Sequence, residues 1–200
     1  MSRNLIGILR GVAPDEVQGI AEAVFAAGID RIEVPLNSPQ PFDSIRILAS
    51  NFRGRALIGA GTVLSVQDVR GVVDAGGGLI VSPNCNPEVI KATKAAGMES
   101  WPGVMTPTEC FAALQAGADG LKFFPAGLVG VDGIKAMRAV LPPACQIYAV
   151  GGAGPDNFAQ WLVAGVNGFG IGSALYKVGM TADEVGESAR AIVAAYDAAI

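Results

Sequence analysis

Five of the chain's alanine–glycine pairs close segments with helical spacing, and their spacing limits its fold more than any other feature. They stand at Ala27-Gly28, Ala75-Gly76, Ala96-Gly97, Ala116-Gly117 and Ala164-Gly165, separated by 48, 21, 20 and 48 residues. Two intervals are near one unit and two are near two units. Each pair follows a segment with apolar residues at helical spacing, as in Val17, Ile20, Ala21, Val24 and Phe25. Glycine there suits the C′ position of a helix, where φ is commonly positive. Soon after each pair comes a short apolar run, such as Leu79-Ile80-Val81 or Gly168-Phe169-Gly170-Ile171. Runs of this kind suit strands of a parallel sheet covered on both faces.

The repeating unit is therefore helix, glycine, strand, loop, returning about every 20–29 residues. Strands are expected near Leu5–Leu9, Arg31–Val34, Leu57–Ala60, Leu79–Ser82, Glu99–Pro102, Gly120–Phe124, Gln146–Val150 and Gly168–Ile171. Pro14-Asp15-Glu16, Ser65-Val66-Gln67-Asp68, Pro87-Glu88, Thr106-Pro107-Thr108-Glu109 and Pro155-Asp156 have the proline or cap residue of a helix start. Eight strand–helix units predict a (β/α)8 TIM barrel, at the short end of that fold's length range. A doubly wound open sheet would fit five or six units better than eight. No linker or composition shift divides the chain, so one compact domain over residues 1–200 is expected.

Composition narrows the chemistry. Half of the residues (51%) are hydrophobic and 16% are charged, which argues against disorder. The net charge of −4 argues against a nucleic-acid partner. There is no histidine, so Ser-His-Asp and Cys-His arrangements and the usual zinc ligand set are absent. Chemistry must run on carboxylates, lysines, hydroxyls or backbone groups, and no metal site is expected. Cys85, Cys110 and Cys145 are odd in number and lack C-x-x-C spacing, as free thiols of a reducing cytoplasm would be. The apolar stretch within Met1–Arg10 is too short for a signal peptide, and no apolar run approaches the roughly 18 residues of a membrane helix, so a cytoplasmic location without membrane contact is expected.

In such a barrel, function gathers at the C-terminal ends of the strands. Arg10, Glu33, Asn37, Thr62, Asn84, Lys122 and the pairs Gly151-Gly152 and Gly172-Ser173 fall there. Lys122 lies within Gly120-Leu121-Lys122-Phe123-Phe124. Period-2 alternation turns Leu121 and Phe123 toward the helices and Lys122, with Gly120 and Phe124, toward the lumen. Burial lowers a lysine's pKa, and the neutral amine attacks carbonyls. The plainer reading is a lysine reaching to solvent from the strand end; Lys91, Lys94, Lys135 and Lys177 read as surface. Glu33, between Ile32 and Val34, faces the same lumen. It could move protons, or form a structural ion pair with Arg10 or Arg31. Gly59-Ala60-Gly61-Thr62-Val63 offers close backbone approach and one hydroxyl, which a tight turn would also produce. The glycine loops after the last two strands occupy a frequent phosphate site of this fold, built from backbone N–H groups.

Ile8-Leu9-Arg10-Gly11, Glu33-Val34-Pro35-Leu36-Asn37-Ser38-Pro39, Gly59-Ala60-Gly61-Thr62-Val63, Ser82-Pro83-Asn84, Trp101-Pro102-Gly103, Leu121-Lys122-Phe123-Phe124-Pro125 and Ala149-Val150-Gly151-Gly152 occur in that order. As an ordered set they resemble the class I 2-keto-3-deoxy-6-phospho-sugar-acid aldolases over nearly the whole chain. Pro35-Leu36-Asn37-Ser38 and Val150 are similar to the galactonate branch. The gluconate branch typically has Thr-Leu-Arg-Thr at the first and a threonine at the second.

The resemblance implies a Schiff base on Lys122, with Glu33 moving protons, and no cofactor. It implies a phosphorylated 2-keto-3-deoxy sugar acid as substrate and pyruvate as a product. Thr62 would hold the carboxylate, and Gly151, Gly152, Gly172 and Ser173 the phosphate. Pro83 and Phe124 would wall the pocket, with Val150 near the C4 carbon. Arg10 would orient Glu33 or reach the substrate's anionic groups. A homotrimer is also implied. The alternatives are a gluconate-type aldolase, another phosphate-binding barrel such as an epimerase or a thiamin-phosphate-synthase-like enzyme, and a non-catalytic phosphosugar-binding barrel.

Overall fold

The computed structural model describes residues 3–200. Met1 and Ser2, where the expected single domain and the N-terminal stretch begin, lie outside the described residues. The strands are β1 (Leu5–Ile8), β2 (Arg31–Pro35), β3 (Leu57–Gly61), β4 (Leu79–Val81), β5 (Glu99–Trp101), β6 (Gly103–Val104), β7 (Leu121–Phe123), β8 (Ile147–Val150) and β9 (Gly168–Ile171). The helices are α1 (Val17–Ala26), α2 (Pro41–Asn51), α3 (Val66–Asp74), α4 (Pro87–Ala95), α5 (Pro107–Gln115), α6 (Ala126–Arg138), α7 (Phe158–Val163) and α8 (Ala182–Ala199).

All strand pairs are parallel, in the order β5-β4-β3-β2-β1-β9-β8-β7-β6. The two ends of this sheet, β5 and β6, are consecutive in the chain and separated by Pro102 alone. Together they form the fifth barrel strand. β5 pairs with β4 and β6 with β7, so a (β/α)8 barrel closes through this broken strand. The expected single strand over Glu99–Pro102 is corrected accordingly. Proline has no N–H to continue the ladder. Its carbonyl still accepts from Lys122 N at 2.9 Å, while Trp101 O accepts from Ser82 N at 3.1 Å.

The alanine–glycine punctuation behaves as expected. Gly28, Gly76, Gly97, Gly117 and Gly165 all have φ between 75° and 103°. Capping boxes open three helices, through Ser65 and Asp68 at α3, Thr106 and Glu109 at α5, and Thr181 and Glu184 at α8. Pro14 and Pro155 precede their helices by a turn: α1 begins at Val17 and α7 at Phe158.

Alternation along the strands produces two apolar regions. Leu5, Ile32, Val34, Ile58, Ala60, Leu121, Phe123, Ile147, Ala149, Phe169 and Ile171 belong to the larger, which packs strands against helices. A smaller cluster of Ile6, Leu79, Val81, Trp101 and Tyr148 fills the barrel interior. Trp101 and Tyr148 lie ring to ring at 4.2 Å between centroids. Gly120 and Gly168 make room for them, since a Cβ on either would strike the Trp101 or Tyr148 ring. The barrel is thus a packed core below and open to chemistry only above, at the C-terminal strand ends.

Candidate active site

Lys122 projects inward from the middle of β7, as its register requires, and is 6% exposed. Its flanking residues Leu121 and Phe123 are fully buried on the helix side. With Glu33, Val81, Trp101, Tyr148, Val150 and Gly170 it lines a small lumen cavity of about 10 Å³, at the threshold for one water. The Lys122 ammonium also sits 4.7 Å from the Phe124 ring centroid. Burial holds the Lys122 pKa below the ordinary lysine value; Glu33 opposes that shift and Arg10 adds to it. A site that favours the neutral amine favours a nucleophile.

Glu33 projects inward from β2 and is 1% exposed. Its Oε2 is buried without a hydrogen-bond partner. Burial pushes its pKa up to about 7, against the pull of the Lys122 and Arg10 charges. A carboxyl that titrates near neutrality can both give and take a proton. Of the ion-pair partners considered for Glu33, Arg31 belongs elsewhere. It binds Glu99 at 3.2 Å, and Glu99 also accepts from Trp101 Nε1 at 3.0 Å.

Arg10 follows β1 and is exposed. Its Nη1 donates to Asn37 Oδ1 at 2.6 Å and to Thr62 Oγ1 at 3.4 Å. Its side-chain hydrogen bonds go to Asn37 and Thr62, while its charge acts on Glu33 across the lumen. Next to it, Gly11 N donates to the buried Ser38 Oγ at 2.9 Å. The Asn37-Ser38 pair therefore ties the loop after β1 to the loop after β2. Asn37 stood in the sequence as a polar residue at a strand end, and Ser38 only as a motif letter. Their tethering role depends on which loops meet across β1 and β2, which spacing does not reveal.

Thr62, just after β3, has φ of 57°, an unusual conformation for a β-branched residue. Pro83 follows β4, and its carbonyl lies where a Cβ on Gly103 would be. Val150 ends β8, beside Gly170 of β9. Gly151 and Gly152 come next with φ of 79° and 92°. Gly151 lies against Phe124, and its carbonyl accepts from Gly127 N at the start of α6, at 2.8 Å. Gly172 and Ser173 follow β9, the partner strand of β8, so the two glycine loops issue from adjacent strands. The expected residues thus converge on one end of the barrel, on loops and strand ends from seven of the nine strands.

The remaining reactive groups lie elsewhere. Lys91, Lys94 and Lys135 pair with Glu88, Asp119 and Asp132, and Lys177 is exposed. Cys85, Cys110 and Cys145 are free thiols. Burial pushes the Cys110 thiol up to about 12, which leaves it unreactive. No helix among the described residues is long and apolar enough to cross a membrane.

The comparisons with known proteins agree with this geometry. The family model described as KDPG and KHG aldolase matches residues 2–190. The probable 2-dehydro-3-deoxy-6-phosphogalactonate aldolase of Rhizobium meliloti (strain 1021) is 51% identical over 198 residues, covering 99% of this chain and 93% of that protein. The 2-dehydro-3-deoxy-6-phosphogalactonate aldolase of Escherichia coli (strain K12) is 46% identical over 196 residues, covering 98% and 96%. A solved structure described as native KDPGal superposes with a TM-score of 0.97 at 46% identity, covering 100% of this chain and 97% of that one. With a barrel-borne lysine and carboxylate already in place, these matches establish that the chain belongs to the KDPG and KHG aldolase family.

Proposed function

We propose that the protein is a class I aldolase that cleaves 2-dehydro-3-deoxy-6-phospho-D-galactonate to pyruvate and D-glyceraldehyde 3-phosphate, in galactonate catabolism. The observation that carries this reading is one buried lysine and one buried carboxyl in a single lumen, with pKa values moved in opposite directions by burial. The galactonate preference draws on the two relatives named for that activity, and on Pro35, Asn37, Ser38 and Val150.

The Lys122 amine attacks the C2 ketone, and loss of water gives an imine that acts as an electron sink. Glu33 takes the proton of the C4 hydroxyl, directly or through a water. The C3–C4 bond breaks, its electron pair moves toward the imine nitrogen, and the aldehyde leaves. The enamine of pyruvate that remains takes a proton at C3 from Glu33, and water releases pyruvate and the free amine. One water is released and one consumed.

Thr62 holds the carboxylate end, and the Gly151-Gly152 and Gly172-Ser173 loops bind the phosphate through backbone dipoles. This lets a chain of net charge −4 take an anionic substrate. Arg10, held by Asn37 and Thr62, reaches the substrate's anionic groups. Pro83 and Phe124 wall the pocket. We further propose a homotrimer in the cytoplasm, in keeping with exposed apolar side chains such as Leu128 and Val163.

Steady-state cleavage of the two C4 epimers tests the substrate. The galactonate epimer is expected to give the higher kcat/KM, and Val150→Thr to narrow the gap. A higher kcat/KM on the gluconate epimer would assign the protein to the gluconate branch. Failure to cleave either epimer would leave a binding barrel.

A further inference from the structure

Glu33 lies against a neighbour that contributes no side chain. Gly61 ends β3, which lies directly beside β2 with Pro35 opposite Gly61. A Cβ built on Gly61 would overlap the Glu33 carboxyl group: its three nearest atoms are Oε2, Cδ and Oε1 of that residue. The φ of Gly61 lies outside the left-handed region, so its backbone suits an L residue, and the Glu33 carboxylate is the nearest obstacle to one. The strand itself has little room to yield. Gly61 O accepts from Leu36 N at 2.8 Å, and Thr62, the next residue, is tied to Arg10. A methyl group at position 61 must therefore move the carboxylate.

We propose that Gly61 is a positioning residue for the aldol reaction, reserving above the β3 backbone the space in which the Glu33 carboxylate is held facing Lys122. This rests on the aldolase reading given above. The carboxylate Oε2 has no hydrogen-bond partner to fix it, so the space left beside it bears directly on where it sits. A side chain placed in this way is sensitive to a single methyl group.

The test is Gly61→Ala, made alone, with Glu33→Gln and with Glu33→Ala. Misplacing a reacting group by about 1 Å can cost on the order of 10²-fold, so Gly61→Ala is expected to lower kcat about 10- to 100-fold with KM changed less than about threefold. Added to Glu33→Gln, it is expected to change the residual rate by less than about twofold, because no proton-moving carboxylate remains to displace. Added to Glu33→Ala, it is expected to leave the thermal midpoint unchanged, since the truncated side chain vacates the space. Wild-type kcat in Gly61→Ala, alongside an inactive Glu33→Gln, would overturn the proposal and leave the aldolase reading standing. An equal fold-loss in both backgrounds, or misfolding that Glu33→Ala does not relieve, would assign Gly61 a purely structural role and overturn it too. Full turnover in Glu33→Gln would overturn both the proposal and the role of Glu33.

Discussion

At the scale of single residues, the proposed chemistry runs on two buried groups that pull each other's protonation in opposite senses. Glu33 has its pKa raised by burial to about 7 from an unperturbed 4.5. Its folded form therefore binds the proton more tightly than the unfolded chain does. The associated stability is fully present below about pH 4.5 and is lost as the pH rises through about 7. Lys122, with its pKa lowered, works the other way in both the wild type and a Glu33 variant. Glu33→Gln should thus gain stability relative to the wild type between pH 5 and pH 8, by about 3 kcal/mol for a fully buried group. Chemical denaturation at the two pH values measures this, and an unchanged difference would contradict it. The same variant should lose on the order of 10²–10⁴-fold in kcat, the span that proton transfer contributes. Both residues were legible in the sequence, because each interrupts an apolar strand with a charge at an inward position. Gly61 was legible only as a flexible glycine. That its missing Cβ seats a carboxylate depends on the β2–β3 register, which the sequence does not carry.

At the scale of elements, termini decide more than interiors. Most strands are three to five residues long, so each helix must start and stop at a defined place. The Thr106 capping box does this for α5: Thr106 Oγ1 accepts from Glu109 N at 3.3 Å, and Glu109 Oε2 accepts from Met105 N and Thr106 N, each at 2.9 Å. These bonds hold the Glu109 carboxyl below its usual range. Thr106→Ala should cost about 1 kcal/mol, a fall of roughly 2–4 °C in Tm, with turnover unchanged. Calorimetry and an activity assay check both halves of that statement. Caps and C′ glycines are local chemistry, which is why they could be read in advance. The break at Pro102 was read as the end of a strand, and the chain alone gives no sign that pairing resumes at Gly103. That resumption needs β7 alongside, and Gly103 fits there because Pro83 lies where its Cβ would be.

At the scale of the whole molecule, the barrel divides into a packed lower core and a polar mouth. Trp101 and Tyr148 fill the lumen beside Lys122, with room provided by Gly120 and Gly168. The same two rings line the lumen cavity that Lys122 shares with Glu33. Eight units, their order and their punctuation could be counted from the glycines. Which aromatic rings fill the lumen could not, because inward and outward positions look alike in strands buried on both faces. The central claim is that a single lysine in this architecture forms the covalent imine. Borohydride reduction with pyruvate, followed by peptide mass spectrometry, tests it most directly. The expected result is one pyruvate-derived adduct, on Lys122, with loss of activity in proportion to labelling; an adduct on another lysine, or none, would contradict the account.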